Sequence, residues 1–410
     1  METLNIASLQ KAVAGEYAAI RRVTRLEPQG DKVFPPTYEG GEYADEVRQV
    51  RAGNGTVQTV KTVLLDSVQS QANRMEIALL RAYDNGRLKM PMLQVDFAGD
   101  GQDSILAEIG RITALEAPHR MCDAIFWDSV HDAKPFRKSI VGERLNGAKA
   151  GNATPVFELC PTALLFGFWD SNKYQRASGA KVQRALVSEI VGYDSVCGKR
   201  TSSRIDPLQI ESGVEFYAKR GGGWTFDKAE AATNKDEKPI VLKPSQVIHG
   251  NIMPSFRHED EKTKKQVLNH GGVTLAYAVQ HTVLSLAALR RLRFPLEGVI
   301  KSEVDHAART VLAALGLAAI CFLDEDGYDL RSRCLLDGKP GTIQFVGRGE
   351  ASDFSLDAKG AAELLAQAAE EAKRLGLPWS EEPITLQPSP DLSRLVVESR
   401  RRSMTASAGA

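Results

Sequence analysis

The chain predicts an α+β protein built on an antiparallel sheet, and three observations carry that expectation. Helix-like and strand-like segments alternate without a strict β-α-β repeat. Runs with the β-branched and aromatic character of strands cluster in the centre, at 161–170, 184–193, 214–220 and 224–226. Apolar residues make up 43% of 410, enough for the core of one large or two ordinary domains.

Taken in order, Ser8 to Val23 predicts an N-terminal helix. A turn-rich excursion follows at about 28–58, marked by Pro28, Gly30, Pro35, Pro36, Gly40-Gly41 and Gly53-Asn54-Gly55. Thr59–Leu65 is β-branched and apolar and predicts a short strand. Asp66 then stands where an N-cap belongs, with Gln69 three residues on to complete a capping box. Val68, Ala72, Met75, Leu79 and Ala82 recur at helical spacing and face a core. Ser67, Ser70, Gln71, Asn73 and Arg74 are thereby left around exposed first turns. Solvated helices ordinarily carry Glu and Lys there. Amides, hydroxyls and one arginine beside free helix N–H groups suit a phosphate backbone or another polar chain, the alternative being a capped surface helix that binds nothing.

Farther on, Asp128 to Asn152 forms a second irregular excursion, and such stretches inside a compact domain are usually functional. Strands are expected at Pro161–Asp170 and Arg184–Tyr193. Val214–Arg220, Gly221-Gly222-Gly223 and Trp224–Phe226 read as a hairpin. Within about 228–265, Lys228–Lys238 and Arg257–Lys265 are charged, low in apolar content and expected to be mobile. Helices are expected at Gly272 to Arg291 and Glu303 to Leu317, the second leading into a strand around Ala319–Leu323. Residues 351–399, with Glu363, Glu370 and Glu371, read as an acidic helical extension, and 400–410 as a disordered tail. No internal repeat is present.

Net charge is zero, 52 basic against 52 acidic residues, which by itself argues against a nucleic-acid protein. Its distribution argues the other way, because His131 to Arg204 holds twelve basic residues against six acidic ones. A basic centre with an acidic periphery can grip a polyanion and stay soluble. The longest apolar run, Ala307–Leu323, is interrupted by Arg309 and reads as a packed helix rather than a membrane span. The N-terminus lacks the build of a signal peptide, so a cytoplasmic location with no membrane partner is expected. Five scattered cysteines predict no disulfide framework.

Catalytic signatures are missing: there is no phosphate-binding glycine loop, GxSxG, HExxH or cysteine pair. His119-x-x-Cys122 lacks the further ligands that zinc requires, and no metal or cofactor is expected. His119, near Asp123 and Asp128, is the best acid–base candidate, yet nothing nearby supplies a nucleophile. Residue chemistry therefore favours a binding or scaffold protein over an enzyme.

Four blocks occur in a familiar order: Phe34-Pro35-Pro36-Thr37-Tyr38, Ser67 through Glu76, His119 through Ala124 before Asp128-Ser129, and Pro161 through Ser171. Over roughly residues 15–345 the chain resembles the RAMP backbone subunit, the Cas-seven-type protein, of type I-G (formerly I-U) CRISPR effector complexes. The resemblance implies an RRM-like (ferredoxin-like) core over 1–350 with large insertions. One insertion would be a thumb-like hairpin, either Val33–Tyr38 or Phe136–Gly151. Copies would stack along a CRISPR RNA and meet target DNA through guide pairing, reading backbone geometry while base pairing reads sequence. Other Cascade subunits, a large one and a guide-processing or capping one, would be partners.

Combined with the residue reading, the resemblance puts Ser67, Gln69, Ser70, Gln71, Asn73 and Arg74 on the guide backbone. Arg137, Lys138, Lys199, Arg200 and Arg204 become candidate phosphate contacts, with Arg21 and Arg22 behind them. The base-stacking aromatics of single-domain RRM proteins are not recognisable in the strands. No catalysis is implied. Two alternatives stand beside this reading: a metal-dependent target-RNA ribonuclease of the type III backbone kind, using Asp31 or Asp132, and a protein-only scaffold.

Overall fold

Alternating burial organises the centre of the molecule. The computed structural model describes residues 2–51, 53, 55–99, 103–171, 179–259, 266–268, 270–348 and 352–408. In strand β1 (Tyr17–Pro28), Ile20, Arg22, Thr24 and Leu26 point inward while Arg21, Val23, Arg25 and Glu27 stay exposed. Residues 8–23 are therefore not one helix. Only Ile6–Lys11 is α-helical, a wider turn carries the chain to Glu16, and Gly15 at φ 153 ends it before the period-two pattern begins.

The sheet grows from β1 by long-range pairing. β2 (Asp45–Arg51) lies inside the stretch expected to be irregular and pairs as a hairpin with β3 (Val57–Asp66), which contains the strand expected at 59–65; β3 feeds helix α1 (Val68–Asp84). After it come β4 (Leu186–Tyr193), β5 (Tyr277–Ser285), helix α2 (Ser302–Asp326), β6 (Ile343–Gly347) and β7 (Ser352–Ser355). Across the sheet the order is Glu2–Thr3, β7, β6, β1, β5, β4, β3, β2. Within it, β1-α1-β4-β5-α2-β6 has a β-α-β-β-α-β connectivity, its four strands ordered β6-β1-β5-β4 and paired antiparallel throughout. The α+β class expected from the sequence is the class adopted.

Helix α2 is the spine of the core. It is buried nearly all round from Val304 to Leu323, so it has no polar face. Its length and hydropathy would suffice to cross a membrane, but 89% of that window is packed inside the protein. The strand expected at 319–323 is absent because the helix runs on to Asp326, where Gly327 at φ 75 stops it. Gly316 permits close approach to β5, since a Cβ there would stand 3.1 Å from the Leu284 side chain. Helix α3 (Ala358–Arg374) lays Ala361, Leu364, Leu365, Ala368 and Ala372 along α2.

Several local expectations are overturned, each for an identifiable reason. Gly272–Arg291 is mainly strand, His270–Thr274 and β5, with one short helix at Leu286–Leu289 capped by Ser285; its apolar residues alternate rather than recur every three or four. Thr162–Phe166 is helical, because a run buried on every side carries no period. Residues 128–152 open with a short ribbon, Ser129–His131 against Lys134–Pro135, and then fold into short helical turns anchored by the fully buried Phe136 and Leu145. Short strands and turns occupy 228–259, and 260–265 lie outside the described residues.

Residues 351–399 are not an appended extension. β7 joins the main sheet, α3 packs on α2, and Ile384–Pro388 pairs with Leu93–Asp96 and Ser129–His131 in a second, five-stranded sheet. The tail is helical rather than disordered as far as Ala408, in helix α4 (Pro390–Ala408). Arg401 at its outer end donates to Asp103 at 2.8 Å. Gly409 and Ala410 fall outside the described residues.

Arg22, 2% exposed, points into the core and donates to both carboxylate oxygens of Asp324 at the end of α2. The Tyr328 hydroxyl donates to the same carboxylate at 2.5 Å, and burial, reinforced by that negative charge, holds the phenol above its ordinary range. Removing one partner strands a buried charge. Asp324→Ala should therefore lower stability by about 3–5 kcal/mol in urea unfolding, whereas Arg21→Ala, on the exposed face, should change it by less than about 0.5 kcal/mol.

The thiols give a second check. Cys122, Cys160, Cys321 and Cys334 are buried and Cys197 is exposed. Burial pushes the Cys122 and Cys321 thiols up to about 12. An alkylating reagent at neutral pH should label Cys197 alone in the native protein and all five cysteines in denaturant, as read by mass spectrometry.

Candidate nucleic-acid interface

The junction of β3 and α1 is built around one carboxylate. Asp66 ends β3 fully buried, so it does not cap the helix as expected; Ser67 does, its Oγ accepting from the Ser70 N–H at 3.3 Å. Asp66 Oδ2 accepts from Gln71 Nε2 at 2.6 Å and Arg74 Nε at 3.0 Å, and Oδ1 faces Arg331 at 3.4 Å. A second Arg74 nitrogen donates to the Leu330 carbonyl. Two guanidiniums thus share one carboxylate, leaving net positive charge at the rim.

Gln71 belongs inside, which corrects its assignment to the exposed turn. It is 0% exposed, and its Oε1 accepts from Gln280 Nε2 at 2.8 Å and the Ser188 hydroxyl at 3.0 Å. Apolar spacing could not reveal this, because the buried face of α1 is itself partly polar. Gln69 and Asn73 remain on the exposed side, with Ser67 and Ser70 half-buried beside them. Ser70, Asn73, Arg74 and Arg81 line a surface cavity of about 420 Å³ together with Asp326, which accepts from Arg81 at 2.8 Å, and Asp329.

Contacts extend this positive rim away from the helix. Arg331 reaches the Phe34 carbonyl at 3.4 Å, and the Arg333 guanidinium lies 4.3 Å over the Phe34 ring. Arg333 has φ 62, a strained backbone for a side chain of its size, held by the Phe34 N–H bond to its carbonyl at 3.1 Å. Gly272, at φ 77, clears the space on the other side: a Cβ would stand 2.8 Å from the Val33 carbonyl oxygen and 2.9 Å from the Phe34 ring. Val33 bridges Val273, which brings Lys32 against Gly198 and Gly271 against the Lys199–Arg200 peptide. Lys199 and Arg200 are exposed there. A basic track therefore runs through Arg74, Arg331, Arg333, Lys32, Lys199 and Arg200.

Other expected contacts lie elsewhere or are already engaged. Arg22 is in the core, bonded to Asp324. Arg137 is 7% exposed, donates to Asp170 at 2.7 Å and stacks on Trp127 at 4.4 Å, so it holds the fold rather than offering a charge. Lys138 is exposed on the same turn. Arg21 is exposed on the open sheet face and donates to Gln344 at 2.8 Å; Arg204 is half-buried 3.7 Å from Asp206. Asp31 is exposed, and exposed Asp132 lies 3.2 Å from His131. Among the described residues no three His, Cys, Asp or Glu groups gather as a metal site would require.

Lys32, Arg331 and Arg333 escaped sequence reasoning. The one local signal was Arg331-Ser332-Arg333 in a turn, far along the chain from the α1 block.

Residues 20–196 match the model of the family described as CRISPR-associated protein GSU0053 (Cas_GSU0053). The match indicates a CRISPR-associated protein. It runs from within β1 through β4 and so contains Asp66, Ser67 and the whole of α1, while Gln280, Asp324, Arg331 and Arg333 lie beyond it. No curated protein matches the chain.

The inward and outward residues of α1 separate by stability. Gln71→Leu leaves Asp66, Ser188 and Gln280 each short of a partner and should lower stability by about 1–3 kcal/mol. Asn73→Ala should stay within about 0.5 kcal/mol. Urea denaturation of the two variants against the parent measures the difference.

Proposed function

We propose that this chain is a non-catalytic, CRISPR RNA-binding backbone subunit of the type I-G, Cas-seven kind, built on an RRM-like core. Copies of it stack along the guide in a Cascade-like complex, in the cytoplasm, with target DNA met through guide pairing and with large and capping subunits as neighbours. One observation carries the reading: the basic track beside the α1 N-terminus, whose Ser67–Arg74 stretch falls inside the CRISPR-associated match. The β-α-β-β-α-β connectivity supports it.

The chemistry suits gripping a backbone. Arg333, Arg331 and Arg74 offer charge-assisted donors to phosphate, and Gln69, Ser70 and Asn73 add neutral hydrogen bonds. None of these reads a base edge, so affinity is indifferent to guide sequence. The projecting element of this reading is the 194–276 insertion between β4 and β5 rather than Val33–Tyr38 or Phe136–Gly151. Its strands pair in succession away from the sheet, Val196–Lys199 with His270–Thr274 and Ser202–Arg204 with Ile252–Ser255.

Expression with and without a CRISPR array, followed by purification and joint measurement of particle mass and RNA content, tests the proposal. Large particles carrying short RNA only when the array is present are expected. A nucleic-acid-free monomer, even with the neighbouring operon genes co-expressed, would overturn it. On loaded protein, Arg333→Ala and Lys199→Ala should each weaken guide binding across unrelated guide sequences and flatten the salt dependence of log K by about 0.7. An unchanged slope in both would remove the track from the interface.

A further inference from the structure

On the opposite flank of α1 lies a cavity that the guide-binding reading leaves unused. It measures about 700 Å³ and is lined by His119, Arg120, Trp169, Lys181, Gln183 and Arg184 among others, with no carboxylate among the described residues of its wall. Its floor is Arg120, buried and at φ 53, whose guanidinium engages both oxygens of Glu76 on α1 at 2.7 Å and the Gly167 carbonyl at 3.1 Å. Arg184 donates through Nε to the Phe166 carbonyl at 3.1 Å and, among the described residues, has no ion pair of its own, since Glu76 is taken by Arg120. Burial and the neighbouring Arg120 charge lower its pKa against an opposing pull from Glu76.

The outer wall is aromatic. Phe168–Trp169 pairs with Lys181–Val182 as a two-stranded ribbon, which sets the Lys181 ammonium 5.7 Å from the Trp169 ring. Trp169 lines the cavity and is 63% exposed, so its ring is open to solvent rather than buried in the core. Gly167, at φ 82, lets the chain turn tightly against Val182 and Arg184, where a Cβ would stand 3.0 Å from backbone atoms of both.

We propose that this cavity binds a phosphorylated nucleotide, with the base on the Trp169 ring and the phosphate among Arg184, Lys181 and His119. Every base has a π-face that an exposed indole can stack, and a phosphate supplies the anion that the wall lacks. The volume lies within the range of small-ligand sites. The proposal does not rest on guide binding. Its ligand is either a free nucleotide or an unpaired nucleotide within a strand, and the two sources share this chemistry.

Calorimetric titration of the full chain with AMP, UMP, a short oligouridylate and inorganic phosphate tests it. The nucleotides should bind saturably, and Trp169→Ala and Lys181→Glu, both exposed positions, should each weaken them tenfold or more. Circular dichroism melts check that the variants fold. Binding of oligouridylate alone, with the same dependence on Trp169 and Lys181, would support the proposal and assign the ligand to a strand. It is overturned if no nucleotide binds, if both variants bind as the parent does, or if inorganic phosphate binds as tightly as the nucleotides.

Discussion

A chain of buried polar side chains running from Asp66 to Asp324 is the constraint on which the rest depends. Asp66 ends β3, Gln71 lies on α1, Ser188 on β4, Gln280 on β5, Arg22 on β1 and Asp324 at the end of α2. Gln280 joins the two halves, donating to Gln71 at 2.8 Å and accepting from Arg22 at 3.3 Å. In a low-dielectric interior each of these groups is costly when unpaired. Four strands and both central helices are therefore held in one register, because a slip of one residue would turn Arg22 or Gln280 out to the open face and leave its partners bare.

The network also prepares the surface. Asp66 sits at its outer end, so Arg74 and Arg331 arrive at the rim already fixed by a carboxylate that neutralises only part of their charge. Rigid guanidiniums lose little conformational freedom on meeting a polyanion. Strain is concentrated at the same place. Arg333 takes a left-handed backbone, Gly272 leaves room for Phe34, and Lys32 is drawn toward Lys199 by the Val33–Val273 bridge. The segments that carry them, at 32–34, 199, 272–273 and 333, would lie far apart in an extended chain.

Helix α1 serves two flanks. Asp66 and Arg74 face one, and Glu76 binds Arg120 beneath the Trp169 cavity on the other. In each place one carboxylate, Asp66 at the end of β3 or Glu76 on α1, pairs with one arginine while a second arginine, Arg331 or Arg184, remains only partly compensated. The two surfaces differ in what flanks the surplus charge: amides, hydroxyls and backbone donors near Arg74, an exposed indole near Arg184.

Local features were legible in the sequence. The α+β class, strands 57–66 and 186–193, the hairpin around Gly221–Gly223 and the start of α1, though with Asp66 expected where Ser67 is the cap, followed from β-branched runs, turn residues and capping chemistry, which act over a few neighbours. The buried helix α2 was half legible: its apolar run was evident, but nothing local set its end at Asp326. The sense of each polar residue was not legible. Gln71 and Arg22 looked like surface groups because inward polar side chains are stable only when distant partners, Gln280 and Asp324, complete their hydrogen bonds. Likewise Arg331 and Arg333 acquired a place beside Arg74 only through pairing across more than 250 residues. Short-range chemistry was determined by the sequence alone; which charges are consumed inside and which remain outside was decided by tertiary structure, since satisfaction of a buried charge depends on contacts between distant segments.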